Sequence, residues 1–264
     1  MSTSQEGGNP FAPPKAAVLE AAVDEGELLS EGRKVAFTQG AAWFGEGWDL
    51  FRRAPGAWIV IFIVFAVLWV VLAIIPGGSL LGSLLYPAFA AGLMLGCRKV
   101  EAGQGLALAD LFSGFSRNLG NLLLVGLLYL ASTFMIGILM GIGMIVVGPM
   151  SGITQGGSPP NWLALAPIFA LVFLVAVALM VPIFMAIWFA PALVAFHDVQ
   201  PMAAMRQSFS GCLRNFGAFL LYVVISFVLF VLALLPVGLG LLVLGPVIWG
   251  TMYAGYRDIF LQHD

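Results

Sequence analysis

Three arginines at matching places are the residues in this chain best suited to chemistry. Arg53, Arg117 and Arg214 each follow an aromatic by five residues (Trp48, Phe112, Phe209) and precede a glycine by three (Gly56, Gly120, Gly217). The stretches 112–123 and 209–220 share seven of twelve positions, among them Arg-Asn-x-Gly with Asn118 and Asn215. A guanidinium is a rigid fork of donors that fits phosphate and carboxylate, and it also serves the bare carbonyls at a helix end. The chemistry on offer is therefore binding, to lipid headgroups or to helix termini. Asparagine is a candidate N-cap for the next helix, and glycine lets the backbone turn. In the first copy Ala54-Pro55 stands in place of asparagine, and proline suits a first helical turn.

Catalytic residues are scarce. His197-Asp198 is a lone pair and the other histidine is His263. No HExxH, CxxC, Ser–His–Asp set or phosphate-cradling glycine loop occurs. We expect no catalytic site, no metal and no cofactor. Cys97 and Cys212 lack the spacing of a metal or redox pair and read as packing residues. Prolines near the middle of three apolar runs, Pro87, Pro182 and Pro246, each free a carbonyl one turn back and bend the helix. Packing kinks are the favoured reading, since membrane helices commonly carry proline. The alternative is a midplane cavity with Ser83, Tyr86, Thr251 and Tyr253 as its polar groups. Small residues at four-residue spacing, Ala88/Gly92/Gly96 and Gly137/Gly141, suit close helix contact. Contact within one bundle is favoured; a homo-oligomer is the alternative.

The elements that must position these residues are helical. Apolar residues Leu108, Leu111, Phe112 and Phe115 fall at helical spacing and leave Asp110, Ser113 and Arg117 on the other side. Met202, Met205, Phe209 and Cys212 repeat the pattern, as do Phe44, Trp48 and Phe51. Such a helix lies in the headgroup plane, apolar face down. Each precedes one of six apolar runs, approximately 56–75, 79–97, 121–147, 163–190, 216–236 and 237–257. About 20 residues cross a membrane, so all six qualify by length. The connections after the first and fifth are too short for anything but antiparallel hairpins. Three units of surface helix, elbow and hairpin result. The fourth run continues to Phe196, and Pro191 predicts a kinked helix bending into the interface.

Composition agrees. Of 264 residues 61% are apolar and 9% charged, and mean hydropathy is +1.03. The chain belongs in a bilayer. Net charge −2 and a pI of 5.6 point to no nucleic-acid partner. All eleven Lys and Arg lie before run one, between two and three, between four and five, or at the end of six. Basic loops stay in the cytoplasm, which puts both termini there. No charge falls well inside a run, which disfavours proton-coupled transport and voltage sensing. Residues 1–39, rich in Gly, Pro, Ala and Glu, read as a mostly disordered tail, and 40–264 as the membrane domain.

Several stretches carry a resemblance: Gly32-Arg-Lys-Val35, the run from Glu46 to Trp58, that from Pro87 to Arg98, that from Asp110 to Phe115, and that from Trp188 to His197. They resemble uncharacterised six-span inner-membrane proteins of proteobacteria. The Pro-x-x-Ala-x-x-x-Ser pattern at Pro201, Ala204 and Ser208 is more distantly similar to YciC-like proteins and to the membrane domain of some glycerophosphodiester phosphodiesterases. The resemblance implies a bacterial inner-membrane location and carries over no catalytic residue. The leading reading is an all-α, non-enzymatic membrane scaffold whose cytoplasmic helices engage lipid headgroups or a protein partner. The alternatives are a carrier or channel for a small neutral or amphipathic solute, and a lipid-modifying enzyme.

Overall fold

Apolar runs facing lipid must satisfy every backbone N–H and C=O internally, and a helix does this within one segment. The computed structural model describes residues 27–150 and 162–262, and these are helical throughout apart from turns and one isolated bridge between Leu28 and Leu261. The helices are α1 (Gln39–Arg53), α2 (Pro55–Ile74), α3 (Gly78–Glu101), a 3-10 helix (Leu108–Ser116), α4 (Leu119–Met150), α5 (Trp162–Trp188), α6 (Ala190–His197), α7 (Pro201–Arg214), α8 (Phe216–Leu234) and α9 (Leu241–Phe260). Each arginine repeat falls at a junction between a short helix and a long one: α1 to α2, the 3-10 helix to α4, and α7 to α8.

The core sits at the charged end of the bundle. In α3 the buried residues run almost continuously from Pro87 to Cys97, and in α9 most of those from Gly250 to Phe260 are buried. The apolar helices α2 and α8 each bury only three residues. Their remaining side chains form an apolar outer surface such as a bilayer covers.

Among the described residues five stretches are long and apolar enough to cross a membrane: Pro55–Ile74, Gly78–Glu101, Leu119–Ile145, Phe169–His197 and Phe216–Leu234. The expected sixth, 237–257, is not among them. Its helix α9 has the length, but Thr251, Tyr253, Tyr256, Arg257 and Asp258 make its second half polar, and all of these but the half-buried Arg257 pack inside the core.

The fourth run departs from expectation. Instead of bending into the interface, the chain breaks at Phe189 and restarts as α6, with Pro191 in the first turn and every residue from Ala190 to Phe196 buried. Ser208 of α7 makes the break tolerable. Its hydroxyl donates to Met185 O at 2.6 Å and accepts from Phe189 N at 3.0 Å. Those are the two backbone groups that an unbroken helix would have paired with each other. Ser208 is fully buried, so one hydroxyl replaces one helical hydrogen bond in an apolar setting.

The three amphipathic segments pack on the bundle with only part of the faces expected: Trp48, Leu108, Phe112 and Met202 are exposed, whereas Asp110, Ser208 and Gly211 are buried. On α1, Trp43, Leu50 and Phe51 are buried, and the helix packs mainly on α9 and α8. It crosses α9 where a Cβ on Gly250 would come within 2.8 Å of Gly47 Cα, so neither glycine can be enlarged without separating the helices. The second segment is a 3-10 helix packed on α3. A Cβ on Gly92 would lie 2.4 Å from Leu111 O, and one on Gly114 would lie 2.0 Å from Ala88 O. The small-residue face of α3 therefore serves contact within the bundle, whereas Gly137 and Gly141 have open space beside them.

The segment read as a tail is partly built into the fold. Leu29 N donates to Phe260 O and Arg33 N to Ile259 O, both at 2.8 Å, and Gln262 N donates to Glu27 O at 3.1 Å. Residues 27–38 are thus tied to the end of α9, while the rest of the expected tail lies outside the described residues.

Ser208→Ala would leave Phe189 N unpaired in the core and Met185 O with only the weak Cys212 S–H donor at 3.6 Å. We expect a loss of about 2 kcal/mol in unfolding free energy, the range for an orphaned buried group, read by denaturant unfolding in detergent. A loss within error would mean that α5 and α6 close the break without the hydroxyl.

Candidate functional site

The end of α9 gathers the charged side chains. Arg257 pairs with Glu46 of α1 at 2.7 Å and with Glu101 at the end of α3, whose other oxygen accepts Tyr253 OH at 2.7 Å. The adjacent Asp258 faces a different set. It accepts the Arg33 guanidinium, Gln39 Nε2 at 2.9 Å and Trp43 Nε1 at 3.1 Å. Two consecutive residues therefore hold α1, α3 and the N-terminal segment to one helix end. Asp258 is only 7% exposed, and a carboxylate at that depth is tolerable because three donors surround it. Lys99 and Asp110 form a further pair that fastens the 3-10 helix to α3, with Asp110 also accepting Ala107 N at 2.8 Å.

The repeated arginines do not share one role. Arg53 donates to Glu101 O at 3.2 Å, a carbonyl at the C-terminal end of α3, where a cation also meets the negative end of the helix dipole. Arg214 donates to Gly32 O at 2.9 Å and pairs with Glu31 at 3.1 Å, so it grips the N-terminal segment. Arg117 is exposed, and its guanidinium makes no hydrogen bond or ion pair among the described residues. Near it Phe112 is 43% exposed, and in the first copy Trp48 is 45% exposed.

The asparagines also differ. Asn215 was expected to cap α8, but its side chain makes no capping bond there. It accepts Val35 N at 2.7 Å and donates to Arg33 O and Gly211 O, both at 2.9 Å, so its amide is spent holding the N-terminal segment. Asn118 takes a left-handed backbone with φ 49° and donates to Asp198 at 3.0 Å. His197 meets Tyr256 OH at 2.6 Å, so the His-Asp pair points two ways and helps pin α6. Cys97 and Cys212 are free and buried. Burial pushes the Cys212 thiol up to about 12, which makes it unreactive at neutral pH.

Among the described residues the three prolines differ in their surroundings. Pro87 and Pro246 are buried and Pro182 is exposed. The four polar groups expected beside them separate. Thr251 donates to Tyr222 OH at 3.2 Å and Tyr253 to Glu101, whereas Ser83 and Tyr86 line a cavity of about 460 Å3 among α2, α3, α4 and α5 that no proline lines.

Sequence reasoning found the elbows and missed the partners. One signal was available: Arg257-Asp258 closes an otherwise uncharged run, and charges next to an apolar span need partners. Which of the thirteen acidic residues answer Arg257 depends on how α1 and α3 cross α9.

Apolar helices of membrane length, with their charges collected at one end, define a multi-pass integral membrane protein. A probable inner membrane protein of Burkholderia thailandensis is 32% identical over 252 residues, which cover 86% of this chain and 93% of that protein. The chain belongs to the family of that inner-membrane protein. No family model matches the chain, and no solved structure does.

Arg257→Met would strand Glu46 and Glu101 close together. Breaking a buried pair from one side costs about 3–5 kcal/mol; with both carboxylates partly exposed we expect about 2–3 kcal/mol, measured by unfolding in detergent. Adding Glu101→Gln should recover part of that loss. If the double variant is no more stable than Arg257→Met alone, the pairing contributes little.

Proposed function

We propose that the protein is a six-span inner-membrane scaffold with both termini in the cytoplasm, acting without catalysis by presenting a rigid cytoplasmic layer to anionic lipid headgroups. The observation that carries the reading is the division of labour among the repeats. Arg53 and Arg214 hold protein carbonyls, while Arg117, beside an exposed phenylalanine, has no partner for its donors among the described residues. A cation and an aromatic at one exposed elbow suit a phosphate and the acyl region beneath it.

Parity supports six crossings. Leu28 and Leu261 pair with each other, which favours an even number of crossings between them. Five stretches have membrane length and apolarity; α9 supplies the sixth, its first half apolar and its second half within the core. The basic residues then give the direction, because Lys and Arg in short loops stay inside. A protein partner on the same layer, or a second copy along the open Gly137/Gly141 face, would extend the scaffold.

Two measurements test this. A cytoplasm-only fluorescent reporter at the C-terminus and a periplasm-only enzyme reporter near Gly156 should both be active, and silence at either site overturns the orientation. Arg117→Gln should lower thermal stability in anionic-lipid nanodiscs by about 1 kcal/mol and leave it unchanged in neutral ones. Arg53→Gln and Arg214→Gln, which remove protein contacts, should cost the same in both. Lipid dependence shared by all three, or absent from Arg117, removes the headgroup role.

A further inference from the structure

The cavity among α2, α3, α4 and α5 has a wall of unusual chemistry. Trp69, Tyr86, Tyr129, Phe184 and Trp188 line it with aromatic rings, with Ser83 beside them and no charged residue. At about 460 Å3 it falls in the size range of small-molecule sites, about 300–1,000 Å3.

The chain has five tyrosines. Tyr222 is bonded to Thr251, Tyr253 to Glu101 and Tyr256 to His197. The other two, Tyr86 and Tyr129, both face this cavity, and their hydroxyls have no hydrogen-bond partner among the described residues. The indole N–H groups of Trp69 and Trp188, in the same wall, are likewise without one. A phenol or indole inside an apolar bundle ordinarily finds an acceptor. Ser83 already donates to Ser79 O at 2.9 Å. The indole N–H groups only donate and the phenols can donate, so a ligand rich in acceptors suits all four. Flat aromatic walls favour a flat conjugated head, and the absence of charge favours a neutral one. On the far side of Phe184 and Trp188 lies a second cleft of about 290 Å3 between α5 and α8, lined almost wholly by apolar groups such as Val181, Phe219 and Val223. It adjoins the first across those two shared residues and suits a hydrocarbon tail.

We propose that the cavity binds a neutral, lipid-soluble molecule whose flat conjugated head carries carbonyl oxygens, the chemistry of a quinone. Tyr86 and Tyr129 donate to the oxygens, the ring lies among Trp69, Phe184 and Trp188, and the tail enters the cleft beside α8. This goes beyond the headgroup reading and stands or falls without it.

The test uses the full chain in phosphatidylcholine nanodiscs titrated with decylubiquinone, read by quenching of tryptophan fluorescence. Saturable quenching is expected. The Tyr86→Phe, Tyr129→Phe double variant keeps both rings and should raise the Kd by roughly tenfold or more, as two lost hydrogen bonds imply. A Cβ on Gly82 would make only ordinary contacts, 3.5 Å from Leu72 and 3.8 Å from Trp69, so Gly82→Leu fills the cavity without a backbone clash and should abolish binding. Decylbenzene, with the same tail and no carbonyl, should not compete with the quinone on the unaltered protein. Absent or unsaturable quenching, an unchanged Kd in the double variant, or equal competition by decylbenzene each overturns the proposal, the last by reducing the site to a hole for any hydrocarbon.

Discussion

A buried charge in an apolar chain has to be met by partners, and in this protein that requirement is concentrated at the end of α9. Arg257 and Asp258 stand side by side in the sequence, and their side chains reach different neighbours: Glu46 and Glu101 for one, Arg33, Gln39 and Trp43 for the other. Much of the architecture follows from satisfying both. The N-terminal segment must return to α9, α1 must cross it, and α3 must end beside it. The close crossing of α1 and α9 at Gly47 and Gly250 is the packing counterpart of the same demand. Apolar burial alone would not select this arrangement, because lipid tails are as apolar as leucine and give helices little reason to prefer one another.

This explains why the molecule is unevenly built. At the charged end, hydrogen bonds and ion pairs fix the helix positions and side chains pack into a continuous core. Toward the other end the helices α2 and α8 expose most of their apolar residues. Cavities are found where the polar ties are absent, between α5 and its neighbours.

The threefold repeat shows how one sequence pattern can be put to different uses. All three copies join a short helix to a long one, and in all three the arginine closes the short helix or follows it directly. What the guanidinium meets is then decided by what lies opposite. Arg53 finds the end of α3, Arg214 finds the N-terminal segment, and Arg117 finds nothing among the described residues. Ser208 makes the same point from the other direction. Its type is ordinary on an amphipathic helix, and its importance comes from standing against the break between α5 and α6.

The sequence by itself determined the all-helical, membrane-spanning class of the fold and the gathering of charge at one end, because these rest on composition and on periodicities of a few residues. It also marked Ala88, Gly92 and Gly96 as a contact face, since small residues at that spacing have few other uses in a membrane helix. Only the tertiary structure decided the rest. The burial of α6, the folding-in of residues 27–38, the withdrawal of Asn215 from its helix cap and the scattering of the three prolines depend on which helix lies across from which. So does the cavity, where Tyr86 and Tyr129 come together with no hydroxyl partner among the described residues. Local pattern can place a tyrosine on a helix face, but whether its hydroxyl is satisfied depends on residues from distant parts of the chain, and in a bundle with so few charges each such meeting is set by how the helices cross.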